Sequence, residues 1–325
     1  MLLPVASIHV SGARCDLHRV SALSLTDCPN IALLWLPTMP PGYYEENPSG
    51  QGESMSTSNA APIRRVRVHH LREMKERREP ITMLTCYDAI TARIFDAQGV
   101  DALLVGDSYG NTMLGYPSTI PVSLEEMMTA TAAVGRGTQR AFVIADMPFG
   151  SYEESPAQAV RSAVRLMKAG AEAVKLEGGT RQADTIARIT GAGIPVVGHI
   201  GFTPQSESSL GGPRVQGRTE NTETQLIDDA VAVQDAGAVV VVLEMVPARL
   251  AAKITKILTI PTIGIGAGAG CDGQVLVWTD MAGMASWTPR FSKTFGNVGE
   301  ALREAATNYC RAVKERQFPE EQHSF

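Results

Sequence analysis

Six ionisable residues stand at matching places along this sequence, each at or just past the end of a short apolar run. Asp107 and Ser108 follow Leu104-Val-Gly106, and Asp146 follows Phe142–Ala145. Lys175 and Glu177 flank Leu176. His199 follows Pro195–Gly198, and Glu244 follows Val239–Leu243. A lone acid after a strand is most often a helix cap or half of an ion pair. A whole set converging on one small region is different, because buried carboxylates without partners are costly and call for compensating charge. If their strands are neighbours, Asp107 and Asp146 are carried on axes about 4.8 Å apart. Two carboxylates that close repel unless a cation lies between them. Both are hard oxygen donors, which favours Mg²⁺ held by one or two carboxylates, with water and substrate oxygens completing the shell.

Lys175 and Glu177 are two apart on one strand and so share a face. A divalent cation beside a lysine suits a 2-oxo acid, whose carboxylate and keto oxygens it can chelate, acidifying the neighbouring carbon. Glu244 would then remove that proton, while the lysine and the cation hold the charge that develops.

The elements that must position these groups are legible from Ile63 onward. Short apolar segments recur at Ile81–Tyr87, Ala102–Gly106, Phe142–Ala145, Ala173–Leu176, Pro195–Gly198, Val239–Leu243, Thr262–Ile265 and Val275–Trp278. Most are apolar throughout rather than alternating, as in parallel strands buried on both faces. Between them run helical stretches with clear punctuation. Ala89–Gln98 ends at Gly99, Ser155-Pro156 opens a helix that stops at Gly170, and Thr222–Ala236 stops at Gly237. Eight strand–helix units over roughly 250 residues match an α/β fold of the (β/α)₈ TIM-barrel type. A doubly wound open sheet would want a glycine-rich turn after the first strand, and Cys86-Tyr-Asp-Ala-Ile90 has none. In a barrel the C-terminal strand ends carry the catalytic groups, which is where the six residues fall.

Composition narrows the rest. The chain has 325 residues, 44% hydrophobic and 19% charged, enough to bury a large core. A net charge of −5 leaves no basic excess for nucleic acid. No apolar run approaches the roughly 20 residues of a membrane helix. The 5 cysteines (15, 28, 86, 271, 310) form no CxxC pair, which points to reduced thiols and a cytoplasmic setting. The 6 histidines show no zinc spacing. Gly264-Ile-Gly-Ala-Gly-Ala-Gly270 reads either as a phosphate cradle or, better, as a tight turn, since the Lys-Ser/Thr ending of a nucleotide loop is missing.

Residues 1–62 differ from the rest. An apolar island at Ile31–Leu36 sits among Pro37, Pro40, Pro41, Gly42, Pro48, Gly50 and Gly52, followed by the polar stretch Ser54–Asn59. The expectation is a disordered tail ahead of a single catalytic domain over 63–325. A signal peptide is disfavoured by the lack of a basic start and a continuous apolar core, and Met55 is an alternative first residue.

Several segments, in a fixed order, carry a resemblance. They are Leu104-Val-Gly-Asp-Ser108, Ala145-Asp-Met-Pro-Phe149, Val174-Lys-Leu-Glu-Gly-Gly179 and Gly198-His-Ile-Gly-Phe-Thr-Pro-Gln-Ser206. Leu210-Gly-Gly212, Val215-Gln-Gly-Arg218, Leu243-Glu-Met-Val-Pro247, Ile263–Gly268, Asp272–Val277 and Phe318–Phe325 continue the series. From about Ile63 to Phe325 the chain closely resembles the ketopantoate hydroxymethyltransferase family. The resemblance implies a (β/α)₈ barrel that transfers a one-carbon unit from 5,10-methylenetetrahydrofolate to 3-methyl-2-oxobutanoate, giving 2-dehydropantoate on the way to pantothenate. It also implies Mg²⁺ on Asp107 and Asp146, with Glu177 near the metal through water. The 2-oxo acid would contact Asp107, Ser108, Asp146 and Lys175. Glu244 would be the base and His199 an additional site residue. Family members are large cytoplasmic homo-oligomers, often decamers. Tyr109-Gly110, Ala269-Gly270-Cys271 and Trp287-Thr288 depart from the family pattern and leave the folate pocket less defined than the oxo-acid site.

Two other readings remain open on sequence. One is a Mg²⁺-dependent carbon–carbon lyase or mutase of the phosphoenolpyruvate mutase and isocitrate lyase kind. Such barrels usually carry a cysteine in a loop after a middle strand, and Gly201–Ser206 has none. The other is a metabolite-binding barrel that has lost catalysis. That would be expected to lack Glu244, Lys175 or an aspartate, and all are present.

Overall fold

The computed structural model describes residues 64–285 and 287–325. The expected tail, with its Ile31–Leu36 island and Met55, lies outside the described residues. Eight strands run in chain order: β1 (Ile81–Thr85), β2 (Ala102–Val105), β3 (Phe142–Asp146), β4 (Ala173–Glu177), β5 (Val196–Gly201), β6 (Val240–Glu244), β7 (Thr262–Ile265) and β8 (Gly273–Leu276). Each pairs in parallel with the next, and β8 returns to β1, so the sheet closes into the expected barrel.

The strand bounds differ from the apolar runs in an instructive way. β3, β4 and β6 each continue one residue past the last apolar position, taking in Asp146, Glu177 and Glu244, and β5 runs on to Gly201, taking in His199. The ladder is made by backbone groups, so a polar side chain turned into the barrel mouth does not end it. β8 begins at Gly273, two residues before the expected start. A Cβ there would lie 2.4 Å from the carbonyl oxygen of Ile81, so only glycine lets β8 approach β1 this closely.

Alternation along the strands sorts the core into two layers. Inward residues (Ile81, Met83, Leu104, Phe142, Ile144, Val197, Val242 and Ile263 among them) fill the barrel. Helix Val68–Arg77 plugs the bottom with Leu71 and Met74, which belong to the same cluster. Outward residues such as Leu103, Val143, Leu176, Ile200 and Leu243 pack under the surrounding helices. Those helices start where the sequence places caps. The side chain of Asp88 accepts from the N–H groups of Ile90 and Thr91, and Ser155 accepts from Gln158 with Pro156 following it.

The glycine run after β7 is a turn. Gly266 and Gly268 have φ of +63° and +78°, and a Cβ on Gly268 would come within 2.5 Å of the Cβ of Ala248. The loop is pressed against helix Ala248–Ile257, and its glycines serve that contact. Among the described residues no helix is long and apolar enough to cross a membrane. The last helix, Val298–Lys314, buries only Gly299 and exposes Val298, Leu302, Tyr309 and Val313.

Candidate active site

The alternation that points Phe142 and Ile144 inward also points Asp146 inward. The same parity on β4, β5 and β6 turns Lys175, Glu177, His199 and Glu244 into the mouth. Register then sets the neighbours: Asp146 lies beside Lys175, and Glu177 beside His199. Lys175 Nζ is 2.9 Å from Asp146 Oδ1 and 3.2 Å from His199 Nδ1. The imidazole bridges two carboxylates, with Nδ1 3.3 Å from Glu177 Oε1 and Nε2 3.1 Å from Glu244 Oε2. All of these are buried except Glu244, whose side chain is 16% exposed at the rim.

Asp107 and Ser108 come from just beyond β2. The chain leaves the strand at Val105, and Ser108 precedes the short helix Tyr109–Thr112. The backbone N–H of Asp107 donates to Asp146 Oδ2 at 3.0 Å, and the hydroxyls of Ser108 and Tyr87 share a hydrogen bond of 2.8 Å. The structure thus brings together all seven residues expected from the sequence.

Their electrostatics follow from crowding in a dry place. Burial pushes the carboxyl of Asp146 up to about 6, with the Asp107 charge adding to the rise and Lys175 opposing it. Burial, joined by the Glu177 charge, likewise raises Asp107. Burial alone would lower Lys175, but Asp146, Glu177 and Asp107 more than offset it and hold the ammonium above its ordinary value. For His199, burial and the Lys175 charge both act to remove the proton. Its contacts with Glu177 and Glu244 outweigh them and raise it to about 9. Four carboxyl groups thus crowd two basic side chains, Lys175 and His199, an excess of acid that a divalent cation would offset.

Two carboxylate oxygens fit such a cation. Asp146 Oδ1 and Glu177 Oε1 are buried without an aligned hydrogen bond; their contacts to Lys175 and His199 are ionic in distance but off the hydrogen-bond direction. Among the described residues no three His, Cys, Asp or Glu side chains form a metal centre by themselves. Mg²⁺ takes few protein ligands and keeps water or substrate oxygens, so the oxygens of Asp146 and Glu177 could serve it.

Two residues that sequence reasoning did not single out complete the arrangement. Gln205, in the loop after β5, donates from Nε2 to Asp107 Oδ2 at 2.8 Å and accepts from the Tyr152 hydroxyl at 2.6 Å. Both are buried on loops, where no periodicity marks them; Gln205 lay inside a recognised motif, and position alone could not show what it touches. Above the polar floor opens a cavity of about 1050 Å³, whose outer wall includes Met113, Met245, Met284 and Phe291. None of the cysteines among the described residues lines it.

The sequence profile of the ketopantoate hydroxymethyltransferase family matches residues 65–321, a span that holds all eight strands and every residue of this site. The chain belongs to the ketopantoate hydroxymethyltransferase family. It is 57% identical over 270 residues to the 3-methyl-2-oxobutanoate hydroxymethyltransferase of Rhodococcus jostii (strain RHA1), covering 82% of this chain and 93% of that one. It is 54% identical over 285 residues to the enzyme of the same name from Mycobacterium marinum, covering 87% and 96%. Among solved structures, phosphoenolpyruvate phosphomutase from Streptomyces platensis subsp. rosaceus superposes with a TM-score of 0.52 at 12% identity, covering 76% of this chain and 88% of that one. That likeness is one of barrel fold alone. The identity to the hydroxymethyltransferases sets this chain with the hydroxymethyltransferase family.

Proposed function

We propose that this ketopantoate hydroxymethyltransferase family member takes a one-carbon unit from 5,10-methylenetetrahydrofolate and, with one water, places it as a hydroxymethyl group on C3 of 3-methyl-2-oxobutanoate. The products are 2-dehydropantoate and tetrahydrofolate. The observation that carries this reading is the Lys175–His199–Glu244 row above the paired Asp107 and Asp146. Asp107 and Asp146 would hold Mg²⁺, with Glu177 close by, and the bound cation would polarise the oxo-acid oxygens.

The chain's own residues do the rest. Ser108, Asp107, Asp146 and Lys175 bind and orient the 2-oxo acid, and Lys175 supplies positive charge beside the oxygen on which negative charge gathers. Glu244, at the rim, takes the proton from C3. His199 is a poor base here, because its two carboxylate neighbours keep it protonated up to about 9. Its work is to hold Glu244 in place on the side away from Lys175. The nucleophilic carbon then bonds to the one-carbon unit, both C–N bonds that tie that unit to the folate break, the water oxygen becomes the new hydroxyl, and the proton from C3 and one from water end on the folate nitrogens.

The cavity supports a second, larger substrate. A five-carbon oxo acid occupies a small part of about 1050 Å³, which is the range of pockets for drug-sized ligands, about 300–1,000 Å³. The methionine and phenylalanine wall suits a flat heterocycle. The exposed apolar face of Val298–Lys314 favours a homo-oligomer, and the chemistry favours the cytoplasm, where reduced folate is supplied.

The deciding experiment follows formation of 2-dehydropantoate from 3-methyl-2-oxobutanoate and methylenetetrahydrofolate, with and without EDTA. Product that requires both the folate and a divalent cation is expected. Turnover that persists in EDTA would remove the metal from the reading, and turnover without folate would remove the one-carbon donor.

A further inference from the structure

Gln205 bonds two acids of the candidate site, Asp107 and Glu177, from the segment that follows β5. Its side-chain amide sits between unlike neighbours. On one side Nε2 reaches Asp107 Oδ2 at 2.8 Å and the carbonyl oxygen of Met147 at 3.0 Å; on the other, Oε1 accepts from the Tyr152 hydroxyl at 2.6 Å. A backbone carbonyl only accepts, so the NH₂ group must face Met147 and Asp107, and the amide has one allowed orientation. The Tyr152 oxygen accepts the backbone N–H of Glu177 at 3.3 Å, which leaves its single proton for Gln205. The backbone N–H of Gln205 closes the circuit by donating to Glu177 Oε2 at 2.9 Å.

The effect shows at the carboxylates. Asp107 has Oδ2 held by Gln205, Glu177 has Oε2 held by Gln205, and Asp146 has Oδ2 held by the N–H of Asp107. The second oxygens of Asp146 and Glu177 are buried with no aligned hydrogen bond, only ionic contacts to Lys175 and His199, and among the described residues no hydrogen bond reaches Asp107 Oδ1. One residue from the β5 loop thus fixes the rotation of acids carried by β2 and β4.

We propose that Gln205, oriented by Tyr152, is a positioning residue that turns the carboxylates of Asp107 and Glu177 so that one oxygen of each is left for the cation and the 2-oxo acid. The inference rests on the metal-dependent reading of the site given above. It says that the amide acts through the acids and touches no reacting atom. Outer partners of this kind typically contribute 10–100-fold to metal affinity.

Binding of Mn²⁺ to the full-length protein, followed by electron paramagnetic resonance without substrate, tests this. The unmodified protein should bind the ion. Gln205→Met keeps the volume and removes the side-chain donor to Asp107 while the backbone bond to Glu177 remains; its affinity should fall about 10–100-fold, with a matching rise in the KM for the 2-oxo acid. Tyr152→Phe leaves the donors but unlocks the amide, so it should weaken binding less, and it should add nothing in the Gln205→Met background. Binding by Gln205→Met within about twofold of the unmodified protein would overturn the proposal, and additive effects would remove Tyr152 from it. If Gln205→Met does not fold, Tyr152→Phe decides, because unchanged affinity there also overturns it. Failure of the unmodified protein to bind Mn²⁺ would instead sink the metal reading of the whole site and this inference with it.

Discussion

Asp107 gives its backbone N–H to Asp146 Oδ2 at 3.0 Å, so the two acids proposed to hold the cation are joined through a main-chain group, not a side chain. The bond survives loss of the Asp107 side chain but not loss of the Asp146 side chain. The two positions therefore differ in what they do for stability, although both serve the same candidate site.

Asp146→Ala leaves that N–H unpaired and deprives the buried Lys175 ammonium of its 2.9 Å partner. Breaking a buried ion pair from one side typically destabilises by about 3–5 kcal/mol, so the metal-free variant should melt well below the parent. Asp107→Ala removes a carboxylate whose ionisation burial and Glu177 oppose, and Gln205 keeps its bond to Met147. Its metal-free melting temperature should hold or rise. Both variants should lose product formation. Thermal melts in EDTA, run beside the assay, check the pair.

Metal binding should weaken in mild acid. The carboxyl of Asp146 is raised to about 6, so it takes up a proton as pH falls through that value, and the cation must then displace it. The same shift means that, without metal, this group's penalty on the fold develops as pH rises from its unfolded value, about 3.9, and is complete above about 6. The stabilisation conferred by Mg²⁺ should be larger at pH 7.5 than at pH 5. Equal shifts in melting temperature at both would argue against Asp146 as a ligand.

Glu244→Gln keeps the shape of the proposed base and its place beside His199 while removing its basicity. The rate should fall by about 10²–10⁴-fold with little change in oxo-acid binding. Exchange of the C3 proton of 3-methyl-2-oxobutanoate with D₂O, measured without folate, should fall in step, because proton removal precedes one-carbon transfer. Exchange at the parent rate would clear Glu244 of that role.

A chain beginning at Met55 should fold and react like the full one. The eight strands and the plugging helix Val68–Arg77 all lie downstream of it. Size-exclusion chromatography and the assay compare the two, and loss of assembly or activity would show that the first 54 residues contribute.

Much of this was legible in the sequence. Strand number and order could be read because each barrel strand is an apolar run, and a buried parallel strand is recorded locally in its own residues. The inward direction of Asp146, Lys175, Glu177, His199 and Glu244 follows from a period of two, so the candidate site could be assembled from strand ends alone. The ordered motifs, shared with a known family, named the chemistry. Tertiary structure decided what depends on residues far apart in the chain. The bond from Gln205 to Asp107 spans 98 positions, and Tyr152 reaches both Gln205 and Glu177 from a separate loop. Loops carry no periodicity, and a glutamine in a motif does not reveal which acid it holds. Which carboxylate oxygens accept an aligned hydrogen bond and which do not, and that one imidazole joins Glu177 to Glu244, are properties of closure, because only the closed barrel brings β2, β4, β5 and β6 to one mouth.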